Sequence, residues 1–294
     1  GLNLVASYEA FCVKMLGAVR PSLIFASQQK EAGRPAGWLG WPLVATSHTW
    51  ENGKNQQSHQ DTTFCEALLG EMSDMVRVLF PADHNSVLAT LPAIYQARGQ
   101  LACMVIPKRE RPAVFSQAQA EQLARDGAVL VEQLDGEEPL LLMACGSYQL
   151  AEMQRAAVRL RTAGLAYRLV YVQEPGRFRA PRDRWEAEAL ASPELIAQLF
   201  APTLRRRVLL THMRPEVARG HLWPLLPEAS NTVVLGYRNR GGTLDEAGMQ
   251  FANSATWAHI LDACAQLLQV PLSGVLSAAE ITAVKGEGDP RVLR

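Results

Sequence analysis

Short apolar runs alternate with amphipathic stretches along nearly all of this 294-residue chain, and that alternation constrains its fold more than any other feature. An apolar run of four to seven residues is too short for a buried helix and reads as a buried strand. Apolar residues recurring every three or four positions read as a helix. Strands separated by helices pair in parallel, because the intervening helix carries the chain from the end of one strand back to the end of the sheet at which that strand began. Residues 8–19 read as a helix with Phe11, Cys12, Met15, Leu16 and Val19 on one stripe and Ser7 as N-cap. Residues 42–46, 75–80, 101–106 and 128–131 read as strands, and 64–72, 86–98 and 116–126 as helices, the last capped by Ser116. A second alternation follows, with strands at 140–145, 169–172, 208–212 and 232–237 and helices at 148–162, 193–200 and 256–268. Between the two lies the polar segment 132–139, EQLDGEEP. The pattern predicts an α/β protein: two consecutive three-layer α/β/α domains with largely parallel sheets, 1–131 and 140–294, joined by a 132–139 linker. The tail after Leu272 is small and polar and is expected to fray. No period of 20–50 residues recurs, which excludes a solenoid.

Composition narrows the function. Apolar residues are 48%, enough for two cores, and Lys+Arg balances Asp+Glu at 29 each. A chain built to grip nucleic acid or an anionic membrane carries a positive surplus, so neither partner is expected. The five cysteines, Cys12, Cys65, Cys103, Cys145 and Cys264, are odd in number and scattered, and no C-x-x-C occurs. That reads as reduced core thiols in a cytoplasmic protein rather than a disulfide framework or a zinc knuckle. No apolar run approaches 18 residues, so no transmembrane helix is expected. Glu9 and Lys14 interrupt the N-terminal apolar segment, which argues against a signal peptide.

The segment between the strand ending at Thr46 and the helix starting near Thr63 stands out, because it is long and almost entirely polar. Connections in α/β units usually run about 2–6 residues, and longer ones are mostly functional or disordered. Trp50 and two histidines argue against disorder, and the carboxyl end of a parallel strand is where such sheets bind ligands. Asn52, Asn55, Gln56, Gln57 and Gln60 supply amide donors, and His48 and His59 can exchange protons near neutral pH. Asp61 could orient His59. The alternative is a solvated excursion; length and composition together favour a site. Lys108 follows another strand end and is a candidate anion ligand by the same argument, equally well read as a solvated lysine. Gly146-Ser147 has the position of a phosphate cradle, but one glycine without G-x-G-x-x-G favours an ordinary turn. Arg177, Arg179, Arg182 and Arg184 are diluted by acidic neighbours and read as a solvated loop. His212, His221 and His259 show no metal spacing.

The run Ser47 to Asp61, SHTWENGKNQQSHQD, resembles the matching stretch of the phosphoketolases. So do its flanks: Ala6-Ser7-Tyr8-Glu9-Ala10-Phe11, then Leu68-Leu69-Gly70-Glu71-Met72-Ser73-Asp74, Leu79-Phe80-Pro81-Ala82-Asp83 and Pro107-Lys108-Arg109. Gly236-Tyr237, Gly242-Thr243, Asn253 and His259 match the family's C-terminal domain more loosely. The resemblance implies a transketolase-like architecture, a middle pyrimidine-binding domain followed by a C-terminal domain. It implies thiamine diphosphate and Mg2+ in the complete enzyme. The implied activity is that of a carbon–carbon (aldehyde) lyase: cleavage of xylulose 5-phosphate or fructose 6-phosphate with inorganic phosphate to acetyl phosphate and an aldose phosphate. By the same resemblance His59 is the catalytic histidine, Tyr8, Asn52, Asn55 and Lys108 bind phosphate and sugar, and Phe11 stacks on the cofactor's aminopyrimidine. Asn52 stands where some members have glutamine. No metal ligand is carried over. The family's activating glutamate would lie upstream of Tyr8 and its Gly-Asp-Gly metal signature in an N-terminal domain, and neither is in this sequence. The chain is therefore expected to be inactive and cofactor-free alone, to need an N-terminal pyrophosphate-binding partner, and to form a homo-oligomer, since the family dimerises through these domains. The alternative is a non-catalytic relative or short subunit serving as an assembly module for a separate N-terminal chain.

Overall fold

The computed structural model describes residues 2–34, 38–51, 57–226 and 228–294. It contains two sheets. The first holds β1 (Val5–Tyr8), β2 (Trp41–Thr46), β3 (Val76–Leu79) and β4 (Leu101–Val105), all parallel, in the order β1-β2-β4-β3. Every residue of β4 is buried, as expected for a central strand covered on both faces. α1 (Glu9–Cys12) runs through a 3-10 turn at Val13–Met15 into α2 (Leu16–Glu31), and α3 (Thr63–Leu69), α4 (His84–Gln96) and α5 (Gln117–Asp126) follow. Val19, Leu23, Phe64 and Leu68 from α2 and α3 cluster with Leu43, Ala45, Val78 and Cys103. Ile94 of α4 packs with Leu79, Ala102 and Met104. Ser116 caps α5 in a capping box with Gln119. Gly127, at φ 79°, ends that helix in the left-handed conformation.

The second sheet holds β5 (Ala128–Leu134), β6 (Leu140–Cys145), β7 (Tyr167–Val172), β8 (Arg207–Thr211) and β9 (Thr232–Leu235), in the order β5-β7-β6-β8-β9. All are parallel except β5, which runs antiparallel to β7. Its helices are α6 (Ser147–Thr162), α7 (Arg184–Ala189), α8 (Pro193–Leu199), α9 (Pro215–His221), α10 (Glu246–Ala252), α11 (Trp257–Leu268) and α12 (Ala278–Val284). Met153, Ala157 and Leu160 of α6 pack with Ile260, Leu261 and Cys264 of α11 over one set of strand side chains. Leu199 of α8 and Ala218 of α9 cluster with the other set. The α/β class and largely parallel sheets are as the sequence pattern predicts.

Four details differ. Residues 5–8 are a strand, so Ser7 lies inside it and Tyr8, which makes no side-chain cap bond, precedes the helix. That helical stretch continues to Glu31, past the Gly17, Arg20, Pro21 and Ser22 that obscure its stripe. Its 23 residues, Glu9–Glu31, are long and apolar enough by length and composition to cross a membrane, contrary to the expectation from uninterrupted runs. Here Cys12, Val19, Leu23 and Ala26 face the core and Glu9 is wholly buried. Third, the expected linker is partly a strand. Glu132 to Leu134 complete β5, with a register shift between Leu130 and Glu132, because an edge strand needs pairing on one side only and tolerates polar residues. The sheets divide between β4 and β5, ahead of 132–139. Finally, the tail packs. Ser277 and Glu280 form a capping box on α12, and the Leu293 carbonyl accepts from Trp257 Nε1 at 2.8 Å.

The two sheets meet through the connections at their carboxyl ends. Phe80 N–H donates to Gln173 O at 2.8 Å, and Ser147 Oγ to Ala82 O at 2.7 Å. Arg77 makes a two-pronged bond to Glu174, each contact 2.8 Å. The arginine-rich loop read as solvated docks on the first unit: Arg179 donates to Leu69 O at 2.9 Å and Arg182 to Gly70 O at 2.8 Å. These are carbonyls at the C-terminal end of α3, the negative end of its dipole. The buried Glu186 accepts from Arg182 and from Ser73 N–H at 3.0 Å.

Candidate active site

Parallel pairing sets several connections at one end of the first sheet. Tyr8 is the last residue of β1 and lies opposite Thr46, the last of β2, and Lys108 follows β4 by three residues. This is the end at which open α/β sheets bind ligands. The Tyr8 and Phe11 rings stack at 5.7 Å and 21°. The His59 ring lies 5.0 Å from Phe11 and 6.3 Å from Tyr8. Lys108 Nζ sits 5.6 Å from the Tyr8 ring centroid, within cation–π range. The structure thus gathers Tyr8, Phe11, His59 and Lys108 into one cluster. Asn52 and Asn55 lie outside the described residues. Phe11 is 39% exposed, a large aromatic left open at the mouth of the cluster. Ser58 Oγ and His59 Nδ1 share a 2.9 Å hydrogen bond. Asp61 is engaged elsewhere, accepting from Thr63 N–H at 2.9 Å and pairing with Arg214.

Beneath the cluster lies a polar layer that sequence reasoning did not anticipate. Ser47, His48, Thr49 and Trp50 are buried, Trp50 to 1% exposure, so the start of the polar segment is not a surface excursion. It enters the crevice between β6 and β8, whose connections run to opposite sides of the second sheet. Gly146 opens that crevice at φ 116°; a Cβ there would meet Gln149 Oε1 at 2.2 Å and His212 Cβ at 3.1 Å. Trp50 Nε1 donates to His212 O at 3.1 Å. The His48 ring stands edge-on to those of His212 and Tyr148, at 4.9 and 5.3 Å. Burial pushes His48 down to about 4, and His212 beside it adds to the effect against the pull of Glu51 and Glu9. His48 is therefore neutral at pH 7 and not a proton carrier there.

Glu9 is the centre of this layer. His212 Nε2–H donates to Glu9 Oε1 at 2.7 Å, and Thr49 N–H to Oε2 at 2.8 Å. Burial would raise its carboxyl, but His212, His48 and the Thr49 amide outweigh that and hold it below the usual carboxylate range. Cys65 Sγ lies 3.7 Å from Oε1, its thiol pushed well up by burial and then by Glu9. Glu9, Cys65 and His212 form a group of potential metal ligands among the described residues, wholly buried and already bonded to one another. Glu51 does for Lys108 what Glu9 does for Thr49. It accepts from Lys108 N–H at 2.8 Å, Arg109 N–H at 3.0 Å and Tyr148 OH at 2.9 Å. Burial pulls its carboxyl upward; His48 and these donors pull harder, and it stays below the ordinary value. The one sequence signal for Glu9 was a carboxylate inside an apolar run.

A match to the D-xylulose 5-phosphate/D-fructose 6-phosphate phosphoketolase family covers residues 1–97. A probable phosphoketolase of Lactococcus lactis is 28% identical over 205 residues, which are 67% of this chain and 25% of that protein. One from Schizosaccharomyces pombe is 31% identical over 163 residues, 53% of this chain and 19% of that one. The chain thus spans about a quarter or less of the length of the curated relatives it matches. In fold it is similar to the transketolase of Leishmania mexicana, with a TM-score of 0.67 at 15% identity over 94% of this chain and 35% of that one. It is also similar to a split-gene transketolase described as an inactive β4 tetramer, with a TM-score of 0.62 at 16% identity over 91% of this chain and 76% of that one. In sequence the chain is thus similar to phosphoketolases, and in fold it is similar to transketolases.

Proposed function

We propose that this chain supplies the pyrimidine-binding side and the phosphate-binding lysine of a thiamine-diphosphate-dependent phosphoketolase, with the rest of the cleft coming from a pyrophosphate-binding segment outside it. The convergence of Tyr8, Phe11, His59 and Lys108 at one strand end carries this reading. The residues fit one half of the cofactor. Phe11 offers an open aromatic face to a pyrimidine ring. Among the described residues the diphosphate and its metal are not matched: Mg2+ takes oxygen ligands, and the Glu9, Cys65 and His212 group is buried and part thiol. When bound, thiamine diphosphate supplies carbanion chemistry. In this reading His59 moves protons between substrate hydroxyls and solvent, and the Lys108 ammonium offsets phosphate charge near the reacting carbon. Tyr8 lines the phosphate side, and Asn52 and Asn55 bind phosphate and sugar. Each sheet with its helices is one unit, the first presenting the site and the second backing it. The substrates are a ketose phosphate and inorganic phosphate.

The test is acetyl phosphate formation from xylulose 5-phosphate or fructose 6-phosphate with phosphate, thiamine diphosphate and Mg2+. The chain is expected to be inactive alone and active with a polypeptide supplying the pyrophosphate-binding segment. His59→Ala and Lys108→Ala should each cost about 10²-fold or more. Full-rate activity in either variant rejects the assignment of that residue. A second reading, a separately made short subunit, is favoured by the likeness across 76% of a split-gene transketolase chain that is inactive as a β4 tetramer. A stable complex with a separate N-terminal chain in the absence of turnover would support it.

A further inference from the structure

The loop bearing Lys108 leaves its own sheet after Ile106. Ile106 N–H donates to Ala45 O at 3.0 Å, and Pro107 has no N–H to offer. The next two amides, of Lys108 and Arg109, both end on the Glu51 carboxylate. Glu51 in turn accepts from Tyr148 OH, which stands on α6 of the second unit. The Arg111 guanidinium lies 4.3 Å from the Tyr148 ring centroid, so the far end of the loop rests on the same residue.

We infer that Glu51 is the positioning residue for Lys108, oriented by Tyr148, so that the second unit sets where the lysine ammonium meets an anion. This rests on the reading of Lys108 as a phosphate ligand. A lysine head is a point charge on a flexible four-carbon stem, so its placement is only as good as that of its backbone. Two adjacent amides on one carboxylate fix that backbone. A glutamine could not replace the carboxylate, since it would turn an N–H toward one of three donors. Glu51 also places negative charge near the proposed anion, so its removal has two opposing effects. Lost positioning weakens phosphate binding, whereas lost repulsion alone strengthens it.

The experiment uses the isolated chain, reading amide hydrogen exchange at Lys108 and Arg109 and inorganic phosphate titration by NMR. In Glu51→Gln, exchange at these two amides should rise about tenfold and phosphate affinity should fall several-fold, the scale of one ordinary net hydrogen bond. Tyr148→Phe should move both readouts in the same direction by less, and it carries the comparison if Glu51→Gln does not fold. Unchanged exchange, or unchanged or tighter phosphate binding in Glu51→Gln, overturns the inference. Lys108→Met separates the two layers. If phosphate binding is indifferent to it, the ligand reading fails and this inference with it. A site that depends on Lys108 and ignores Glu51 sinks the inference alone.

Discussion

Glu9 shows how little of a buried polar layer can be read along a chain. Its neighbours Tyr8 and Phe11 are singled out by the resemblance of the short run at residues 6–11, a local property, although the strand that ends at Tyr8 is not legible in the sequence pattern. Its partner His212 is 203 positions away, and nothing in either neighbourhood announces the other. The same holds for Glu51, whose three donors come from a loop and a helix far along the sequence. A carboxylate in an apolar run looks alike whether it turns out to water or inward to a histidine. The physical difference is large. Glu9→Ala leaves His212 Nε2–H and the Thr49 amide buried without their acceptor. Leaving buried donors unsatisfied costs about 1–3 kcal/mol each. A fall of that size in the urea unfolding free energy, with little change in denaturant dependence, is the expected result; a change below about 1 kcal/mol would place His212 and Thr49 in contact with water or another acceptor.

At the level of elements, strands and helices with strong periodicity were legible, and the misreadings share a cause. β1 and the end of β5 are sheet-edge segments with few buried side chains, so period carries little information there. α2 is masked by Gly17, Arg20 and Pro21, though its Val19, Leu23 and Ala26 still reach the core. The tail is polar by composition but ends on the buried Leu293. Gly146 is the reverse case, a position whose meaning is geometric. It sits at φ 116°, and a Cβ would press on Gln149 and His212, the two side chains flanking the crevice that receives Trp50. Gly146→Ala should therefore destabilise by about 1–3 kcal/mol, the cost of a strained backbone, and loosen the Trp50 seat. A lowered thermal midpoint together with a red-shifted tryptophan emission is the signature to look for. An unaltered midpoint would mean that the turn adopts another conformation.

On the scale of the whole molecule, the two sheets share a core that includes Leu43 and Cys103 of one and Met143 and Val170 of the other. Burial on this scale leaves a mark on pH dependence. His48, His221 and His259 are each pushed down to about 4, in every case chiefly by burial. In the unfolded chain they titrate near 6.5. Between these values the unfolded state binds more protons than the native one, so stability is full above about pH 7 and falls as pH drops toward 4. Glu9 and Glu51, held below the usual carboxylate value, add a further loss as pH falls through their lowered range. Urea midpoints measured from pH 8 to 4 should decline through this window, and His259→Gln should shallow the decline. A flat profile from 7 to 5 would mean that these histidines are protonated in the native state.

The antiparallel β5 has a consequence for how this polypeptide can be divided. Gly127 O receives Gln173 and Glu174 N–H one residue after α5 ends, and β5 is zipped to β7 from Ala128 onward. The covalent seam and the folding seam therefore fall at different places. Severing the exposed turn just after Leu134 would leave the first fragment still stitched along the rim of the second sheet, so strand pairing joins the shared core and the Arg77–Glu174 pair in keeping the halves as one body without an unbroken backbone.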